Sequence, residues 1–204
     1  MTRRLPPAVL LCLSLALGAA TLHAQNSVAL SLYGAFGGTT NGNGTAQSPA
    51  NSAGGMAELR HISNPLVGYD VTYSYNRANQ SYTQLCTPGV TCGTITAQSI
   101  SANAHELTGD WVVSVHGANL RPFALAGVGL LFNQPAGNQS NSQSATKPVF
   151  VYGAGLDWGL LPHIGLRFQY RGNLYKAPNL TRLFTSTNAF TQTAEPMIGA
   201  YFSF

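Results

Sequence analysis

Charge is what this chain has least of: ten Lys and Arg and six Asp and Glu among 204 residues, 8% in all. A chain so uncharged is not disordered by self-repulsion. With no basic cluster to track a phosphate backbone, it has no nucleic-acid partner either. Long apolar runs are nearly missing too. The one present, Ala8 to Leu22, is about fifteen residues, short of the roughly 20 that a membrane-crossing helix needs. Cysteine is scarce, with three in the chain. Cys12 lies in Leu10-Leu11-Cys12-Leu13 without the small residues that precede a lipidated cysteine, so it belongs to that apolar run. His105, His116 and His163 are scattered and show no ligand spacing, which leaves no metal site and no cofactor to expect. The Gly-x-Gly pairs at Gly127 and Gly153 fall inside strand patterns, where they read as close packing or bends rather than phosphate loops.

What is present begins with a leader. Arg3 and Arg4, the apolar run and Leu22-His23-Ala24 before Gln25 fit a secretory signal cleaved after Ala24, which predicts export and a mature domain over residues 25–204. Losing the two arginines lowers the net charge from +4 to +2. Past the leader, apolar and polar residues alternate with period two in eight stretches, the mark of strands with one apolar face. The stretches are Ser27 to Phe36, Met56 to Ile62, Leu66 to Arg77, Ile100 to Val113, Arg121 to Phe132, Val149 to Trp158, Ile164 to Arg171 and Pro196 to Phe204. Long segments rich in Gly, Asn, Ser, Thr and Gln alternate with short turns between them. Gly37 to Gly55, which has no apolar period, is expected to be a long mobile loop. Ala78 to Ser99, Asn133 to Lys147 and Gly172 to Thr193 are the other long loops.

The last stretch organises the rest. Ile198, Ala200, Phe202 and Phe204 fall on one face, and a soluble protein rarely finishes on so apolar an edge. Pairing this strand with the first would close a barrel with its apolar face toward lipid and every backbone group satisfied. Here the sequence resembles the bacterial outer-membrane β-barrel proteins, whose final strand typically ends in Phe with apolar residues at alternate positions. The resemblance implies an all-β fold, an eight-stranded antiparallel up-and-down transmembrane barrel with long extracellular loops and short periplasmic turns. It implies that Ile198, Ala200, Phe202 and Phe204 form the signal read by the barrel-assembly machinery, and that periplasmic chaperones take part in biogenesis. The small-barrel group concerned includes the transmembrane domain of the major outer-membrane protein A and the opacity and X-type proteins. No peptidoglycan-binding domain of the A type is expected after the eighth strand.

Alternation also assigns the interior. Glu58, Asp70, Glu106 and Asp157 fall on inward faces with Arg60, Arg167 and Arg171, and Asp110 shares the face of Glu106. An eight-stranded barrel is just wide enough for side chains to fill it, so these residues would pair as an ionic network that closes the lumen. Phe36, Tyr75, Trp111, Phe123, Trp158 and Phe204 are expected outside, near strand ends, as aromatic girdles. Arg77, Lys147, Lys176 and Arg182 lie in or beside the long loops with only Glu195 among acids there, and are expected to contact lipopolysaccharide phosphates. Cys86 and Cys92 are expected to form a disulfide closing a small extracellular loop.

These readings point to a monomeric, non-enzymatic outer-membrane protein with a structural or surface-interaction role. Three alternatives stand beside it. A narrow pore would use the same fold. A soluble lipocalin-like barrel would turn the apolar face inward around a ligand. A lipid A hydrolase is suggested by His61-Ile62-Ser63-Asn64, which resembles the His-x-Ser-Asn motif of the outer-membrane lipid A deacylases. However, strand counting puts His61 at the periplasmic end, Pro65 replaces a small residue, and no Glu follows to orient the histidine.

Overall fold

The computed structural model describes residues 25–64, 66–85, 97–115, 117 and 119–204. Ten strands form one antiparallel sheet: β1 (Gln25–Gly37), β2 (Thr40–Gly42), β3 (Thr45–Pro49), β4 (Ser52–Ile62), β5 (Val67–Gln84), β6 (Ala97–Ser114), β7 (Leu120–Pro135), β8 (Ala145–Gly159), β9 (Ile164–Lys176) and β10 (Phe190–Ser203). Eight of them, β1 and β4 to β10, make the ring. Each pairs with its sequence neighbour, and β1 pairs with β10 to close it. The start of β1 is tied to the last residue as well, with backbone bonds of 3.1 and 2.9 Å between Asn26 and Phe204.

The apolar face points outward. Leu30, Leu32, Trp111 and Val128 are each at least 66% exposed, and among the described residues all charged side chains of β4, β6 and β10 point inward. This rules out the lipocalin-like inversion, which needs the opposite pattern. Inside, Val112, Phe123, Leu125, Val149 and Val151 pack on one side of the lumen, and Tyr33, Ala35, Met56 and Met197 on another.

The strands run further than alternation suggests, so the loops are shorter. Polar residues of β5 beyond Arg77, and of β9 and β10 around Asn173 and Gln192, keep the ladder although they lack an apolar face. Gly37 to Gly55 is not a mobile loop: β2 and β3 form a hairpin turned at Asn43 (φ 49°) and Gly44 (φ 73°). Two positive φ angles are what a two-residue turn between twisted strands requires, and Asn-Gly supplies them cheaply. β3 then pairs with the far end of β5, from Thr45 with Gln84 to Pro49 with Gln80.

β10 begins before Pro196, the point where the sequence pattern starts it. Proline has no N–H to give, and the β1–β10 ladder skips Pro196 and Glu195, but Met197 with Tyr33 and Ala194 with Phe36 keep one register across the gap. On the other side, β10 pairs with β9 without a break.

Candidate functional site

Alternation and register bring seven of the expected interior residues together. Arg60 on β4 donates to both oxygens of its cross-strand neighbour Asp70, Nε at 2.8 Å and Nη2 at 2.9 Å, and lies 3.1 Å from Glu58 and 3.4 Å from Asp157. Arg167 on β9 grips its own neighbour Asp157 the same way, at 2.7 and 2.8 Å, and donates to Glu58 across the barrel. Such two-pronged contacts suit the planar guanidinium. Further toward the loops, Arg171 reaches Glu106 at 3.4 Å and Asp110 at 3.6 Å and donates to Thr72 and Thr108 at 3.0 and 3.1 Å. All these side chains are at most 5% exposed.

Asp110 therefore belongs with the interior set, although Glu106 alone represents its face in the expected network. Glycine makes its place: a Cβ on Gly127 of β7 would come within 2.1 Å of Asp110 Oδ1. Two other residues stand where the sequence reading did not put them. Phe123 is not in an outer girdle but buried in the lumen, its ring 4.0 Å from the Arg60 guanidinium. A desolvated cation over an aromatic face is favourable, and Gly155 leaves the ring room, since a Cβ there would sit 2.4 Å from it. Glu195 is not a loop acid but an inward residue of β10, 5% exposed and opposite Arg171. The other expected girdle residues, Phe36, Tyr75, Trp111, Trp158 and Phe204, do face outward.

All six acids of the chain thus point into the barrel. The end carrying the long loops keeps only cations. Arg77 projects from the outer face of β5 and donates to Ser101 at 3.1 Å. Lys176, at the end of β9, donates to Asn188 at 3.3 Å and lies 5.7 Å from the Phe190 ring. Arg182 is exposed on the last loop, whereas Lys147 sits half-buried on the inward side of β8, opposite Leu131. Cys86, Cys92 and residues 1–24 lie outside the described residues. On the final strand, Ile198, Ala200, Phe202 and Phe204 are exposed on the outer face.

His61 donates through Nδ1 to the Asn26 Oδ1 at 2.8 Å and packs against Tyr69. It lies on the outer face of β4 at the turn end, and Ser63 lies in the turn beyond it. All six Asp and Glu side chains lie inside the barrel, so none of them stands beside this outward pair to orient the histidine as a base.

Over residues 8–194 the sequence matches the family described as outer membrane protein beta-barrel domain. The chain belongs to that family. No curated protein matches it in sequence. Among solved structures it is similar to OprG from Pseudomonas aeruginosa (TM-score 0.59, 9% identity, covering 89% of this chain and 96% of that one). It is also similar to the Neisserial surface protein A (0.56, 14%, 90% and 100%). A third is Ail, the attachment invasion locus protein of Yersinia pestis, in complex with the heparin analogue sucrose octasulfate (0.51, 16%, 90% and 100%). At these identities the likeness concerns the fold. Family membership places the chain in the outer membrane, with the apolar outer face of the ring against lipid.

Proposed function

We propose that this barrel is a non-enzymatic surface protein of the outer membrane, sealed inside by its arginine network and engaging phosphate-bearing lipopolysaccharide at its loop end. The observation that carries the reading is the segregation of charge. With every acid buried in the lumen, Arg77, Lys176 and Arg182 form no ion pair with a carboxylate among the described residues, while Lys147 faces inward on β8 and is not presented to the leaflet. Unneutralised cations beside a phosphate-rich leaflet gain charge-assisted hydrogen bonds that solvent alone does not give them. The triple variant Arg77→Glu, Lys176→Glu, Arg182→Glu should bind lipopolysaccharide several-fold less tightly and lose its extra heat stability in lipopolysaccharide bilayers. Unchanged binding would end this reading.

Three cationic side chains standing across the lumen, each held by two or more carboxylates, support a sealed interior. The reconstituted protein should show no single-channel steps in planar bilayers, and discrete openings would favour the narrow pore. Residues 1–24 act in this reading as the export leader, Cys86 and Cys92 as a disulfide, and the outward face of Ile198, Ala200, Phe202 and Phe204 as the assembly signal. The protein works as a monomer, with the assembly machinery and periplasmic chaperones as transient partners.

A further inference from the structure

The interior charges divide into two groups of unequal balance. Toward the turns, Glu58, Asp70 and Asp157 face Arg60 and Arg167, with Arg121 close enough to Asp157 to act on it electrostatically. Three acids there meet three cations. Toward the loops, Arg171 is within ion-pair reach of Glu106 and Asp110 and stands opposite Glu195, while Arg60 acts on Asp110 only from a distance and Lys147 faces inward beyond Leu131. A buried group with more acids than cations in direct contact is costly unless something neutralises it.

Beside this second group lies a cavity of ≈ 50 Å³, lined among others by Tyr33, Ser74, Glu106, Asn133, Asn173 and Glu195. Two buried amides on its wall each leave one atom without a partner. Asn173, 2% exposed, donates through Nδ2 to Glu106 at 3.0 Å, which fixes its amide orientation and leaves Oδ1 as an acceptor with no donor. Asn133, 4% exposed, has an Nδ2 with no acceptor. A proton shared between Glu106 and Glu195 would offset one charge but needs no space. At roughly 15 Å³ per water, the cavity has room for about three waters or a partly hydrated ion.

We propose that this chamber binds a hard divalent cation of the calcium class, held by Glu106 and Glu195, the Asn173 Oδ1 and the Ser74 hydroxyl. The remaining positions are filled by water, one of which accepts from Asn133. The donor chemistry selects the ion. All these ligands are oxygens, as calcium prefers, and two carboxylates supply the charge. Among the described residues no three of His, Cys, Asp and Glu gather as a metal site, and no thiol or imidazole lines this chamber, so a thiolate- or imidazole-seeking metal has nothing to hold it there. Amide, hydroxyl and water oxygens must complete the shell. A divalent ion would also offset the excess of acids around it.

The test uses the full barrel refolded in a zwitterionic detergent with Ca²⁺ alone, passed over a desalting column and assayed for retained calcium by atomic emission, with empty micelles as the blank. About one ion per chain should remain in the wild type and well under half as much in Glu195→Gln. The temperature at which the folded form is lost should rise with calcium over chelator in the wild type only. No retained calcium in the wild type, or equal retention in the variant, overturns the proposal. So does a Glu195→Gln barrel that is stabilised with or without calcium, because a proton then fills the deficit. Should Glu195→Gln fail to fold, the wild-type retention decides.

Discussion

Arg60 carries the most connected position in the molecule. Its guanidinium touches Glu58, Asp70 and Asp157 and lies under the Phe123 ring, with almost no solvent. Removing it leaves three carboxylates with one fewer cation in a closed space. Breaking a buried pair from one side is far more damaging than never having built it, and costs about 3–5 kcal/mol. Arg60→Ala should lower stability by that order in urea unfolding from lipid vesicles. A change under about 1 kcal/mol, the scale of an exposed pair, would mean that water enters the lumen and screens the network. Phe123 shows why a residue's type is a poor guide to its side of the wall. An aromatic ring is equally at home against lipid or over a guanidinium, so only its parity with Arg121 and Asn133, both on the inward set of β7, could have placed it.

At the scale of elements, two faces make separate demands. The outer face of β1 meets lipid through Leu30 and Leu32, 67% and 72% exposed. Leu30→Arg should destabilise the barrel by about 2–4 kcal/mol if that position lies near the bilayer midplane, read by the same unfolding assay. A neutral result would put Leu30 at an interface. Above the ring, the loop end is built rather than slack. Tyr82 on β5 donates to the Pro178 carbonyl at 2.8 Å and accepts from the Leu180 N–H at 2.9 Å, and packs with Ile100, Ala102 and Leu180. Burial pushes the Tyr82 phenol well above its ordinary pKa, so it stays a donor at any physiological pH. Tyr82→Phe strands both backbone groups and should cost about 1–3 kcal/mol. Because the damage is local, faster trypsin cleavage after Arg182, with the ring still folded, is the measurement that separates it from global unfolding.

Among the described residues the eight-stranded ring is closed, with β2 of the loop-end hairpin its one edge outside the ring, so unfolding of the ring is resisted at every seam at once. Unheated samples in dodecyl sulfate should migrate as a compact band that shifts on boiling. A band indifferent to heating would contradict ring closure by β1 and β10. Closure also explains why the charges can sit where they do. Only a sheet wrapped on itself brings Arg167 on β9 against Glu58 on β4, residues on strands that do not pair with each other.

The sequence alone determined which side of the wall nearly every residue takes, because strand side chains alternate strictly and a one-residue error inverts a whole face. From that came the outward ladder of Ile198, Ala200, Phe202 and Phe204, and the inward one of Glu58, Arg60, Arg167 and Arg171. It also held, unread, the hairpin signal Asn43-Gly44 and the parity of Glu195 with Met197, obscured by Pro196, which looks like a strand start when the ladder is not in view. The tertiary structure decided the pairings. Which carboxylate Arg60 or Arg171 holds depends on strand stagger and ring closure, and these are distances across the barrel that no local period encodes. The shortfall of cations around Glu106, Asp110 and Glu195 is of the same kind, visible only once all six acids are seen on one side of a closed wall.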